Sequence, residues 1–330
     1  MNSKILSLND PVIYTYNIYG SIFSILSDDP AIWPWVYNNF IQIKYVPDWN
    51  SYFFDHHHLL FDNCPWLNHY IIPRKWSSDR FNGSIVDCII HSIDNGMYLY
   101  FYVDRFYLSM SEHYRKAELW HEILVYGYDR ASQTIYIADN LADGKYIKTE
   151  CSFEEMEQGY WSIHADVEFY HNIHLFERHP EEGVAIDPTQ ILATLGHYLH
   201  STPSVNMFIK EHTIYGIQAM EFMLDNINGI IEQEKFVFLD KRAFHLFMEH
   251  KILMEMRLMY LKEHSPLYVA DSIIKEYAPL KDDYRTLRNI VLKYNVLQKN
   301  DKLLLNIKSR LHSAIEKEKG LIGMLLIQNT

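Results

Sequence analysis

The apolar pattern of this chain changes period once, near residue 180, and that change constrains the fold more than any other feature. Before it stand short apolar runs rich in aromatic and β-branched residues: Met97–Val103 (MYLYFYV), Leu119–Tyr126 (LWHEILVY) and Thr134–Ala138 (TIYIA). Runs of that length and composition read as strands. After it, Asp187-Pro188 offers a cap followed by a residue suited to a first helical turn. From there the 3.6-residue period predicts helices over 188–200, 208–230, 240–264, 268–277, 283–298 and 301–320. The expected fold class is therefore α+β, with a mixed domain over 1–180 and a helical domain over 185–330, joined by a linker at His179–Gly183. Phe244, Phe247, Leu253, Met254, Leu258 and Leu261 fall on one helical face and are expected in the core of a bundle. No internal repeat interrupts this two-part plan.

Within the first part, Asn17–Leu26 (NIYGSIFSIL) reads as a short helix closed by Ser27-Asp28-Asp29-Pro30. Residues 31–45 place Trp35 and Phe40 at helical spacing and end in a strand-like manner. Residues 50–80 lack a period and read as loop, with a short strand near His69–Ile72. Asn82 is positioned to cap a helix running to Asp94, whose Ile85, Ile89 and Ile93 form one stripe. Gly96 ends it. Asp129–Gln133 then makes the turn of an antiparallel hairpin between 119–126 and 134–138. Ser152 and Glu155 form a capping box for a helix over 153–160. Val167, Phe169, Ile173 and Leu175 suggest a further strand. The sheet is expected to be antiparallel.

Charge and cysteine content narrow the function classes. A net charge of −12, with no basic stripe, argues against nucleic-acid and anionic-membrane partners. Three scattered cysteines, Cys64, Cys88 and Cys151, make neither a disulfide framework nor a zinc cluster, and fit reduced thiols in the cytoplasm. The first twenty residues show no signal-peptide pattern, and no apolar run approaches the ~20 residues needed to span a bilayer. With 25 Tyr and 17 Phe, the aromatic content fills cores and could also line a concave site.

The segment that carries chemistry is His121-Glu-Ile-Leu-Val-Tyr-Gly-Tyr-Asp129 with Ile135-Tyr-Ile-Ala-Asp139-Asn140. A hairpin turning at 129–133 brings residues 121 and 139 nearly opposite each other. An imidazole and a carboxylate so placed form two members of a nucleophile–His–Asp triad. The simplest alternative for His121 is a strand histidine satisfied by a backbone carbonyl. Asn140 is either a third orienting group or a turn residue. Asp55-His56-His57-His58, with His69, invites a metal reading, but adjacent histidines point to different sides, so exposed loop histidines are expected and no metal or cofactor. Met248, Met254, Met256 and Met259 on one helix suggest adaptable packing. His245 and His250 on the same helix are poorly spaced for shared ligation.

The hairpin resembles that of the papain-like superfamily, specifically its bacteriocin-processing peptidases and the butirosin biosynthesis protein H family. There a His opens an H-x-V-x-V-x-G-Y-D-like strand and an Asp closes the next. The helix–Gly–strand stretch Ile85–Val103 is similar too, and the likeness covers roughly residues 12–180. A helical second domain also matches the butirosin protein H layout. The resemblance implies acyl transfer from a carrier thioester to an amine, in specialised metabolism. His121 would be the general base and Asp139 its orienter, with an acyl-carrier or peptidyl-carrier protein as partner and a small molecule or peptide as substrate. The family's nucleophile is a Cys at the start of the first helix, followed by Gly and a small hydroxyl residue. Here Gly20-Ser21 aligned on that pair puts Tyr19 at the nucleophile, and a two-residue shift puts Ser21 there instead. A phenol with a pKa near 10 does not replace a thiolate. Cys64 precedes Pro65 in a loop, Cys88 lies in a helix among apolar residues, and Cys151 precedes the capping box. The alternative function is a catalytically inactive homologue that binds an intermediate or scaffolds an assembly line. A peptidase would need a thiol that the sequence does not place.

Overall fold

The structure is a computed structural model and describes residues 2–142, 144–180, 183–204, 212–233, 236–298 and 301–330. It divides into two compact units, one of residues 1–32 and 59–182, the other of 33–58 and 183–330. In chain order, β1 (Ser3–Ile5) and α1 (Asn17–Leu26) open the first unit. Next, α2 (Trp33–Asn39), β2 (Ile43–Val46) and β3 (Ser51–Phe54) belong to the second. The first unit resumes with β4 (Leu67–Pro73), α3 (Arg74–Arg80), α4 (Ile85–Asp94), β5 (Met97–Asp104), β6 (Trp120–Asp129), β7 (Thr134–Ala142), β8 (Lys145–Ser152), α5 (Phe153–Trp161) and β9 (Asn172–Arg178). The second continues with α6 (Pro188–His200), β10 (Ile214–Tyr215), α7 (Gly216–Gln233), α8 (Lys241–His264), α9 (Asp271–Leu297) and α10 (Asp301–Gln328).

In the first unit an antiparallel sheet runs β4-β9-β5-β6-β7-β8, with β1 added along β6. Ile85, Ile89 and Ile93 of α4 meet Leu99, Phe101, Ile123, Val125 and Ile137 of the sheet in one core. That is the expected stripe of isoleucines. Its cap is Ser84, whose Oγ accepts from the Asp87 N–H, and not Asn82, which turns the chain with φ +51°. Asn lies two residues too early and satisfies the left-handed turn instead. The capping box of α5 forms as expected between Ser152 and Glu155. Residues 50–80 are more ordered than their lack of period suggests, holding β3, β4 and α3. Both faces of β3 are buried, so alternation gives no signal there.

In the second unit the helical period holds through α6 to α10, and Phe244, Phe247, Leu253, Met254, Leu258 and Leu261 are all buried. Two expected helices, 268–277 and 283–298, are one. Pro279 lies inside α9, and the buried stripe Ile273, Tyr277, Leu280, Tyr284 and Leu287 runs past it. Packing along that stripe outweighs the ~3 kcal/mol that an internal proline costs. The start of the expected 208–230 helix falls partly outside the described residues, and α7 begins only at Gly216. Ile214–Tyr215 pairs as a strand with β2, which pairs with β3. The unit is therefore helical around a small antiparallel sheet rather than purely helical. Residues 33–58 supply two of that sheet's strands from the first half of the sequence.

A polar cluster lies at the centre of these helices. Lys251 Nζ donates to Glu318 Oε1 (2.6 Å), to the Tyr198 hydroxyl (3.0 Å) and to His250 Nδ1 (2.9 Å). Tyr277 donates to the same Glu318 oxygen (2.7 Å), and His250 Nε2 bonds the Ile41 carbonyl (2.7 Å). Lys251, Glu318 and His250 are completely buried. Burial holds the lysine down to about 8, against the pull of Glu318. The Arg257 guanidinium is buried nearby in sequence and donates to the carbonyls of Tyr37 and Phe40. Met254 accepts from the same guanidinium, whereas Met259 is half exposed, so only part of the methionine series fills core.

Candidate functional site

Strand alternation and one irregularity position the site in the first unit. β6 and β7 pair as expected about the 129–133 turn, but their register shifts between Val125 and Gly127. Leu124 then faces Ala138, which sets Asp139 level with Ile123. His121 therefore meets Asp139 on a diagonal and not directly across the hairpin. The contact forms nonetheless: His121 Nδ1 lies 3.4 Å from Asp139 Oδ1, with the carboxylate fully buried and the imidazole 30% exposed.

Sequence reasoning missed the residue that enters this pair. Arg105 follows β5, is 95% buried by side chain, and places Nη2 2.8 Å from His121 Nδ1 and 2.5 Å from Asp139 Oδ2. Its signal was faint, since an arginine one residue beyond a strand reads as a surface charge. Three groups meet at Nδ1: the Arg105 guanidinium, which only donates, and Asp139 Oδ1 and the Glu122 carbonyl (2.9 Å), which only accept. A triad histidine keeps Nδ1–H on the carboxylate and a lone pair on Nε2. Arg105 shares that carboxylate, taking Oδ2 while the ring faces Oδ1.

Asn140 does not orient the ring. Its side-chain amide donates to the carbonyls of Tyr14 (3.0 Å) and Gly144 (3.2 Å), and only its backbone N–H reaches Asp139 Oδ1 (2.6 Å).

The first helix departs further from a catalytic arrangement. Ser21 is fully buried one turn into α1; its hydroxyl donates to Asn17 Oδ1 (3.0 Å) and touches the Tyr146 hydroxyl (3.3 Å). Tyr146 lies so close over the helix that a Cβ at Gly20 would enter its ring, which accounts for the glycine. Tyr19 is also fully buried, edge-on to Tyr16. The residue of α1 that reaches the histidine's surroundings is Asn17, the first of the helix. Its Nδ2 lies 2.5 Å from the Glu122 carbonyl oxygen, and His121 Nδ1 lies 2.9 Å from that same oxygen. A carboxamide therefore stands at the helix start against the backbone of β6. All three cysteines are buried, and burial pushes Cys64 and Cys88 up to about 12 and Cys151 higher.

No group of three His, Cys, Asp or Glu suited to a metal occurs among the described residues. His57 packs on Phe53 and His58 on Trp49; His58 is exposed, and His56 and His57 are half-buried. In the other unit, His69 bonds Asp62 and stacks on His174. His245 contacts Glu249 while His250 bonds Ile41, so the two share no ligand role.

Burial opposes protonation of His121, yet the Asp139 charge and contact outweigh it and the imidazole is raised above 6.5, with Arg105 opposing and Glu122 assisting. Burial likewise opposes ionisation of Asp139, and His121 and Arg105 together hold it below 3.8. The histidine's share of stability is full below 6.5 and is lost as pH rises through its raised value. The aspartate's share is present above 3.8 and is lost as pH falls through its lowered one. Asp139→Asn is expected to lower the His121 pKa by about one unit or more, read from the pH dependence of its ring NMR shifts. An unchanged titration would mean that Arg105 already consumes the Asp139 charge.

Comparison with known proteins adds no relative: the chain matches no protein-family model and no curated protein.

Proposed function

We propose that the first unit is a papain-like scaffold without a nucleophile, which binds its ligand at the His121–Glu122 end of β6 and forms no acyl–enzyme. One observation carries this reading. The only hydroxyls or thiols that the nucleophile helix and the cysteines could offer are buried, and Asn17 stands beside the histidine. The resemblance of the hairpin suggests the ligand's setting, a small molecule or peptide intermediate of the kind handled on carrier proteins. In the rival reading, an acyltransferase, Ser21 attacks a carrier-bound thioester with His121 as base. That requires the Ser21 hydroxyl to leave Asn17 and Tyr146 and cross to the imidazole.

The discriminating experiment incubates the full chain with short- and medium-chain acyl pantetheine thioesters and follows intact mass and thioester loss. The expected result is no acyl adduct and a hydrolysis rate equal to buffer, unaltered in Ser21→Ala and His121→Ala. A stoichiometric adduct that maps to Ser21 and vanishes with either substitution would replace the binding reading by the enzyme.

A further inference from the structure

Alternation along β6 puts Trp120 and Glu122 on the same face, and Tyr102 of β5 sits directly opposite Glu122. The Tyr102 hydroxyl donates to Glu122 Oε1 at 2.6 Å and fixes the carboxylate. Above them, the turn Glu168–His171 brings in two more rings. Tyr170 meets both Tyr102 (centroids 5.0 Å apart) and Trp120 (5.7 Å), and Phe169 meets Tyr102 (5.4 Å) and Tyr170 (5.5 Å). The cluster opens to solvent: Phe169 is 54% exposed, and Trp120, Tyr102 and Tyr170 are half-buried.

Two other aromatic clusters of this unit contain their own cation. Arg74 lies over Tyr160 and Trp161, and Arg115 over Phe106, Tyr107 and Tyr114. Among the described residues, no lysine or arginine lies over Tyr102, Trp120, Phe169 or Tyr170, and none pairs with Glu122. The nearest partner of its Oε2 is His121 Nδ1 at 3.8 Å. Four rings packed edge to face beside a held carboxylate that no lysine or arginine of the described residues pairs form the electrostatic complement of an organic cation.

We infer that this shelf beside His121 is a binding site for an alkylated ammonium group, seated on Trp120 and Tyr170 with Glu122 as its counter-charge. The inference rests on the reading of the His121 end as a ligand-binding face and names the chemical class of what it holds. A hydrated inorganic cation gains little from aromatic faces, whereas a methylated ammonium sheds its water cheaply and presents its spread charge to them. Glu122 then supplies the long-range attraction, and the rings select against neutral solutes.

The probes are choline and tetramethylammonium, with uncharged 3,3-dimethyl-1-butanol as the shape-matched control. Binding to the full chain is followed by tryptophan fluorescence and by the Trp120 indole N–H shift. Saturable binding of both cations is expected, with the alcohol at least about tenfold weaker. Glu122→Gln, which keeps shape, and Trp120→Leu should each weaken cation binding about tenfold. Circular dichroism checks that each variant is folded. If Trp120→Leu unfolds, Glu122→Gln decides alone. Equal affinity for the alcohol, or cation binding untouched by Glu122→Gln, would reduce the shelf to an apolar patch. Absence of any saturable cation response would remove it. An acyl adduct on Ser21 would instead overturn the scaffold reading while leaving cation affinity in place, so the two failures are distinct.

Discussion

Lys251→Met should destabilise the helical unit by about 3–5 kcal/mol, the range for removing one partner of a buried ion pair. Glu318 is fully buried, its Oε1 gathers Lys251 and Tyr277, and its Oε2 has no hydrogen-bond partner among the described residues. Without the ammonium, the carboxylate must stay charged in an apolar interior or take up a proton, and both are unfavourable. The loss is a large fraction of the ~5–15 kcal/mol available to a domain. Urea unfolding followed by helical circular dichroism measures it. Lys251→Met with Glu318→Leu should recover most of the loss, because the cost lies in the orphaned charge rather than in the missing attraction. A single-variant effect below about 1 kcal/mol would mean that the pair is already neutral when folded. The pH dependence gives a second reading. The folded lysine, held at about 8, binds fewer protons than the unfolded one at 10.5, so this group makes stability rise with pH between those values. The buried phenols of Tyr198, Tyr277 and Tyr284, raised well above 10, act in the opposite sense once pH passes 10. Lys251→Met should lose the rise and keep the fall.

Asn17→Cys should create a reactive thiol where the natural residue is inert. The position is the first of α1, no acidic residue stands in that first turn, and its side chain shares the Glu122 carbonyl with the His121 ring, which Arg105 meets in turn. A helix start and neighbouring cations lower a thiol's pKa by up to several units. Burial at position 17, as deep as at Cys64, works against that fall, so at pH 6 the new cysteine is expected to react with iodoacetamide on the order of tenfold faster than a free thiol, as a one-unit fall in pKa from ~8.5 implies. His121→Ala should remove much of that gain. The three native cysteines provide the internal background, since all are buried and raised. Alkylation no faster than free cysteine would show that position 17 does not share the histidine's surroundings, and the papain-like reading of the site would fall with it.

The two outcomes bear on how far the residues alone could lead. Elements marked by periodicity or by capping chemistry were readable: α1, the Ile85–Ile89–Ile93 stripe, the 129–133 hairpin, the Ser152–Glu155 box and the helices after Asp187. Those that failed were places where tertiary packing overrules local preference. Pro279 is absorbed because the stripe on either side of it is buried, and β3 shows no alternation because both its faces are. At the site, His121 and Asp139 were identifiable as a pair, but their diagonal offset depends on a single register shift within β6. Arg105 and Tyr146 were invisible, because nothing in a linear pattern says that a strand-end arginine turns inward or that a tyrosine covers Gly20 and Ser21. Asn17 was passed over in favour of Tyr19 and Ser21, since alignment by a Gly-Ser pair ignores which residue the helix start presents to β6.

The discontinuity of the second unit has a consequence for synthesis. Its strands β2 and β3 leave the ribosome with α2 in residues 33–58, while α6 to α10 of the same unit all lie after residue 183. At ~5–20 residues per second the delay is on the order of 10 seconds. Throughout that interval Phe40, Ile43, Tyr45, Tyr52 and Phe54, all buried in the finished protein, are made but lack the helices that will cover them. The whole first unit can collapse around the gap in the meantime, leaving a 26-residue apolar loop held at both ends by folded structure. That loop is the stretch a holding chaperone would meet first. A chain stopped after residue 182 should keep it uncovered and be prone to aggregate, even with its seven-stranded sheet intact.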